Sequence, residues 1–145
     1  MKRSTGFRNA MLATGAVPAL NGKVIKIFSG TSLPVSADEA LPVGTTLLCT
    51  VSVNDTGTGL TFSAPSGGQI TKSTAEIWSG TVLASGTASF FRMEDAADAG
   101  ASSTTAIRIQ GTIGLDGADM NFGNTALVSG NIRQINLFVI SVSAG

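Results

Sequence analysis

The chain has no histidine, no tyrosine, one cysteine and one tryptophan, and charged residues make up only 12% of its 145 positions. Each shortage excludes something. Without an imidazole there is no base to take a nucleophile's proton, so Ser–His–Asp and Cys–His arrangements cannot form. Zinc ligation fails for want of ligands. Cys49 cannot close an internal disulfide, which fits folding in a reducing cytosol, and within Leu47-Leu48-Cys49-Thr50-Val51 it reads as a buried strand residue. No apolar run approaches the 18 or more residues that a spanning helix needs, so no membrane partner is expected.

Ser, Thr, Asn and Gly stand where charge is missing. Nine acids balance nine bases, so nothing repels one copy from another, and a surface covered by partners is expected. The charges are uneven. Lys2, Arg3, Arg8, Lys23 and Lys26 precede the first acid, Asp38, giving +5 over the first 37 residues and −5 over the rest. Such a basic N-terminal arm can touch an acidic partner surface, but base-stacking aromatics are not interleaved beyond Phe7 and Phe28, so direct nucleic-acid contact is not expected. Lys2-Arg3 followed by Ala10–Ala13 and Ala16–Ala19 has the outline of a signal peptide. Arg8, Thr14, Gly15 and Pro18 break its apolar core, and export is not expected.

At this length one domain is expected, burying roughly 70% of its unfolded surface. Ser4 or Thr5 can cap a short helix from about Gly6 to Thr14 that Gly15 ends, with Phe7 and Met11 on one face. Asn21-Gly22 opens a strand over residues 23–28, and residues 45–53 read as a second. Shorter strands are predicted over 60–62, 70–72, 74–79, 84–93, 105–113, 120–122 and 125–128. In 105–113, Ile107, Ile109 and Gly111 fall on one face, with Arg108 and Gln110 on the other. Residues 131–142 read as one long, centrally placed strand, because apolar residues on both faces need cover on both. The pattern is that of an all-β, single-domain antiparallel β-sandwich or jelly roll with a short N-terminal helix. The arm is expected over residues 1–22 and the β-sandwich over 23–145. Lys2, Arg3, Phe7, Arg8 and Met11 are the candidate partner-contact residues of the arm.

Carboxylates group as Asp38-Glu39, as Glu94-Asp95 with Asp98, and as Asp116 with Asp119. A glycosidase needs two of them across a cleft, one in an apolar pocket. These lie in predicted loops, residues 94–103 among them, where water solvates them. Asp116-Gly117-Ala118-Asp119 offers too few oxygens for calcium, and Gly57-Thr58-Gly59 lacks the Lys-Ser/Thr of a phosphate loop. No catalytic, metal or cofactor site is expected, and the chain is not expected to be an enzyme.

Arg3-Ser4-Thr5-Gly6-Phe7-Arg8-Asn9-Ala10-Met11-Leu12 and Gly22-Lys23-Val24-Ile25-Lys26-Ile27-Phe28-Ser29-Gly30-Thr31 resemble the N-terminal pattern of small virion proteins of tailed bacteriophages. The segments 75–81, 108–114 and 117–121 resemble the same group. The resemblance implies a structural part of the particle, made in the host cytoplasm and located in the virion. Its partners would be the major capsid protein or other virion subunits, together with further copies of itself as a homo-oligomer. A head decoration or cement protein is the first expectation and a tail or neck component the second. A carbohydrate-binding β-sandwich, the rival of another class, would want exposed aromatics that this composition hardly supplies.

Overall fold

The computed structural model describes residues 1–142. Two helices, α1 (Thr5–Ala13) and α2 (Ala16–Leu20), accompany twelve strands. These are β1 (Lys2–Arg3), β2 (Val24–Ser29), β3 (Thr46–Val53), β4 (Gln69–Thr71), β5 (Trp78–Thr81) and β6 (Gly86–Thr87), followed by β7 (Phe90–Glu94), β8 (Ile109–Gly114), β9 (Met120–Asn121), β10 (Ala126–Leu127), β11 (Ile132–Ile135) and β12 (Val139–Ser141). The main sheet runs β1-β8-β7-β2-β3-β5-β11 and is antiparallel throughout, and β9 pairs in parallel with the far end of β8 at Ile113 and Gly114. Two small antiparallel pairs, β4–β12 and β6–β10, stand apart from it. The chain is thus an all-β domain with a short N-terminal helix.

Strand alternation sorts the sheet into two faces. Ile25 and Ile27 of β2, Cys49 and Val51 of β3, Phe91 and Met93 of β7, and Ile109 and Ile113 of β8 are buried on one face. They form one core with Phe7, Leu20, Ile70, Phe138 and Ile140 from the helices and the small strand pairs. Trp78 is fully buried, edge-on to Phe62 at 5.4 Å, and its indole N–H donates to Glu76 at 2.8 Å.

The segment expected to reach out as an arm is built into this domain instead. Lys2 and Arg3 pair with Gln110 and Ile109, and Phe7 is fully buried. Ser4 caps α1 and is itself inaccessible. Its hydroxyl accepts from the amides of Phe7 (3.0 Å) and Arg108 (2.9 Å) and donates to the Ala106 carbonyl (2.7 Å). One side chain therefore starts the helix and fastens it to the strand behind it. Gly6 belongs to the same joint, since a Cβ there would collide with the Thr105 and Ala106 carbonyls. Gly15 ends the helix at φ +97°, a conformation that favours glycine. The composition break at Gly15 marks a turn between two short helices, the second of which contains Pro18, and not a detachable piece.

The long final strand is also corrected. Ile135, Phe138 and Ile140 are buried while Asn136 and Leu137 are exposed. The three-residue step from 135 to 138 breaks a period of two, so the strand stops and restarts. Its first half, β11, is an edge strand, not a central one, and its second half pairs with β4. The middle position belongs to β2. Likewise 74–79 yields a strand only from Trp78 on, and 84–93 divides into β6 and β7.

Phe7→Ala is expected to destabilise the domain by about 3–5 kcal/mol through the cavity it leaves. Ser4→Ala is expected to cost about 2 kcal/mol, because two buried amides lose their acceptor. Urea unfolding of the two variants checks both, and values near zero would mean that the segment is not part of the core.

Candidate interaction surface

The second face of the main sheet is buried as well, under the chain segments 31–43 and 95–106, but it is built from charge. Across neighbouring strands Lys26 stands opposite Arg92, Arg92 opposite Gln110, and Gln110 opposite Lys2. Lys26, Arg92, Glu94, Arg108 and Gln110 are each at most 8% exposed. Arg92 donates to Gln110 Oε1 at 2.8 and 3.2 Å and to the Glu39 carbonyl, and Gln110 donates onward to the Pro34 carbonyl at 2.7 Å. Arg108 forms a two-pronged pair with Asp98, both contacts 2.7 Å, and also donates to the Ala101 carbonyl. The strand cations thus hold both covering segments to the sheet by their backbone carbonyls. The loop over 94–103, expected to be solvated, is pinned down at Glu94 and Asp98.

The two carboxylates of this layer differ. Burial raises the pKa of Asp98, but the paired bonds from Arg108 and the amide of Gly100 outweigh it, and the group titrates below the usual aspartate range. Glu94 is moved the other way, mainly by burial. Lys26 Nζ lies 3.1 Å from Glu94 Oε1, yet the contact is not aligned as a hydrogen bond, and neither carboxylate oxygen accepts one. Nothing in this layer opens to a substrate. Among the described residues no three His, Cys, Asp or Glu side chains are placed to share a metal ion. Cys49 is buried, and burial above all pushes its thiol up to about 11, so it is protonated at neutral pH.

The basic residues of the N-terminal region are dispersed. Lys2 donates to the Pro34 carbonyl, Arg3 to the Ser141 carbonyl, Lys23 to Asp95, and Lys26 is buried. Of the five candidate contact residues, Phe7 is core and Lys2 and Arg3 belong to the sheet, while Arg8 is exposed and Met11 is half-buried on α1. Met11 lines a small apolar cavity of about 190 Å³ with Ile70 and Ile140. These residues do not converge on one contact patch.

What the fold does bring together is the part of the chain without charge. Ile77 to Phe91 has no charged residue, and Met120 to Val142 has only Arg133. These stretches supply β5 and β11, which pair, and β6 and β10, which pair, and Ser129 ties the two units by bonds to Ser85 and to the Leu83 carbonyl. The result is a charge-poor region with Leu83, Val128, Ile132 and Leu137 exposed, which Asp55 reaches from the end of β3 through its bond with the Thr81 hydroxyl. Its one cation is folded back, for the Arg133 guanidinium lies 3.6 Å from the Phe122 ring centroid. One cavity of about 310 Å³ lies beside β11 against Arg133 and Gln134, and another of about 310 Å³ lies beyond its end, lined by Asp119, Leu137 and Phe138. The missing charge was legible in the sequence as low composition. Its concentration in one region was not, because it depends on which strands pair.

Asp98→Asn is expected to destabilise the domain by about 2–4 kcal/mol, since Arg108 would keep its charge in a buried site without its partner. Glu94→Gln, which removes a charge that burial disfavours, is expected to leave stability unchanged or raise it at pH 7. The Asp98 contribution is complete above about pH 4 and disappears as pH falls through the lowered folded value. Melting curves of both variants and of the natural chain between pH 2 and 7 check the contrast, and equal losses in both variants would contradict it. No family model matches this chain, and neither a curated protein nor a solved structure is significantly similar to it.

Proposed function

We propose that this protein is a non-enzymatic structural component of a bacteriophage virion, a head decoration or cement protein that stabilises the capsid by packing against the major capsid protein and further copies of itself. The observation that carries this reading is the charge-poor region around β5, β6, β10 and β11. A surface of exposed aliphatics and small polar residues, poor in charge over two long stretches of chain, fits an interface better than it fits open water. The resemblance of the N-terminal and later segments to small phage virion proteins supports the same class. A tail or neck component has the same surface requirements and is the second reading.

The burial of the aromatics weighs against the carbohydrate-binding alternative. All seven phenylalanines and the single tryptophan are at most 7% exposed, leaving no ring on which a sugar could stack. Hydrolytic chemistry finds little support, because Asp98 is held by Arg108 and Glu94 is fully buried beside Lys26 under covering loops. On this reading the protein has no turnover of its own.

The test is particle association. The protein is expected to co-sediment with phage particles or with capsids assembled from a major capsid protein, and to stay bound when salt rises to a few hundred millimolar. Uncharged interfaces rest on shape fit and hydrogen bonds, which salt screens little. Release by moderate salt would put the binding on the dispersed basic residues instead, and a strict monomer without affinity for particles would refute the virion reading.

A further inference from the structure

The outer side of β11 has no strand beside it among the described residues. Natural sheets guard such edges with lysine, proline or a bulge, and Ile132-Arg133-Gln134-Ile135 has none of these in service. It pairs with β5 in unbroken register, and its one cation is laid over Phe122. The Val82 amide donates to the Asn131 carbonyl, so by antiparallel alternation Arg133 and Ile135 also bond toward β5. The N–H and C=O groups of Ile132 and Gln134 therefore point away from the sheet.

We infer that β11 pairs with β11 of a second copy of this chain, antiparallel about a two-fold axis that passes beside Gln134. A two-fold presents one strand edge to itself, which is why antiparallel edges are self-complementary. Side-chain facing then limits the register. Directly opposed residues lie on the same face, so Ile132, on the outer face, can oppose only 132, 134 or 136 of the second copy. An axis at Arg133 would place two guanidinium groups against each other, and like charges in opposition are disfavoured, while an axis at Ile132 would set Gln134 against Gly130, a turn residue at φ +89° outside the strand. With the axis at Gln134, the two Gln134 residues exchange N–H···O=C bonds, Arg133 lies opposite Ile135, and Ile132 lies against Asn136 and Leu137 of the second copy.

Pairing the edges also covers apolar surface, because Ile132 and Leu137, both exposed, lie within or next to the paired segment. This specifies the self-association contained in the virion reading and rests on that reading for its use, although the pairing can be tested without it.

Two variants test the pairing in solution. In a hydrogen-bonded antiparallel pair the Cα atoms are about 5.5 Å apart, within the range a disulfide spans. Under mild oxidation Gln134→Cys is therefore expected to give a covalent dimer. Ile132→Cys is not, because the two copies of residue 132 stand more than ~13 Å apart in this register. Cys49 is buried and does not compete. Gln134→Lys sets two ammonium groups face to face and is expected to weaken the dimer about tenfold or more in sedimentation analysis, with its circular dichroism unchanged. A natural chain that stays monomeric at high concentration overturns the inference. So does cross-linking of Ile132→Cys as fast as Gln134→Cys, or a Gln134→Lys dimer as tight as the natural one. A monomer that still binds particles sinks the edge pairing alone, whereas a Gln134→Cys dimer with no affinity for particles sinks the virion reading alone.

Discussion

The contact between Arg108 and Asp98, with Lys26, Arg92 and Glu94 packed around it, decides what the rest of this molecule can look like. β2 is the middle strand and has both faces covered, one by the apolar core and one by the segments 31–43 and 95–106. Those segments contain too few large apolar residues to hold themselves down by burial alone. Their carbonyls are instead caught by arginine, lysine and glutamine side chains rising from the sheet. Removing Asp98 leaves the Arg108 guanidinium in a dry place without its hydrogen-bonded partner, whereas Glu94, which accepts no hydrogen bond there, is not needed in the same way.

The layer has a consequence at the opposite end of the domain. A chain with only eighteen charged residues that places five of them in or beside its interior has few left for its surface. β5, β6, β10 and β11 receive almost none, and the charge that ordinarily keeps an exposed strand edge in water is absent there. Interior electrostatics and exterior association are thus linked through one scarce resource. The same scarcity explains why the basic N-terminal region is not an arm, because several of its cations are already engaged with acceptors of the same domain.

Much of this architecture is legible from local chemistry. The helix over Thr5–Ala13 follows from Ser4 and Gly15, and β2 and β3 begin and end within a residue or so of where their β-branched runs place them. Where alternation carried two meanings, the sequence misled. Arg108 and Gln110 alternate with Ile109 as a solvent face would, yet that face is covered. The signal was present on the neighbouring strands. Val24 and Phe28 share a face with Lys26, and Phe90 shares one with Arg92, so large apolar side chains flank each cation on its own side. Such flanking means cover on both faces. The break at Asn136 was hidden for the opposite reason. Leu137 and Val139 gave 131–142 the look of a doubly buried strand, and only the packing of Ile135, Phe138 and Ile140 reveals the step of three. The fastening of the first residues by Ser4 depends on contacts more than 100 positions apart along the chain, which no local pattern announces.

The central claim is that the charge-poor region with β11 at its edge is where copies of this chain meet. Amide hydrogen exchange of dilute and of concentrated or particle-bound protein tests it most directly. The account predicts that the Ile132 and Gln134 amides, which point away from β5, exchange fast when dilute and become protected on assembly, while α1 changes little. Protection confined to α1 and the N-terminal residues, with β11 unchanged, would contradict it.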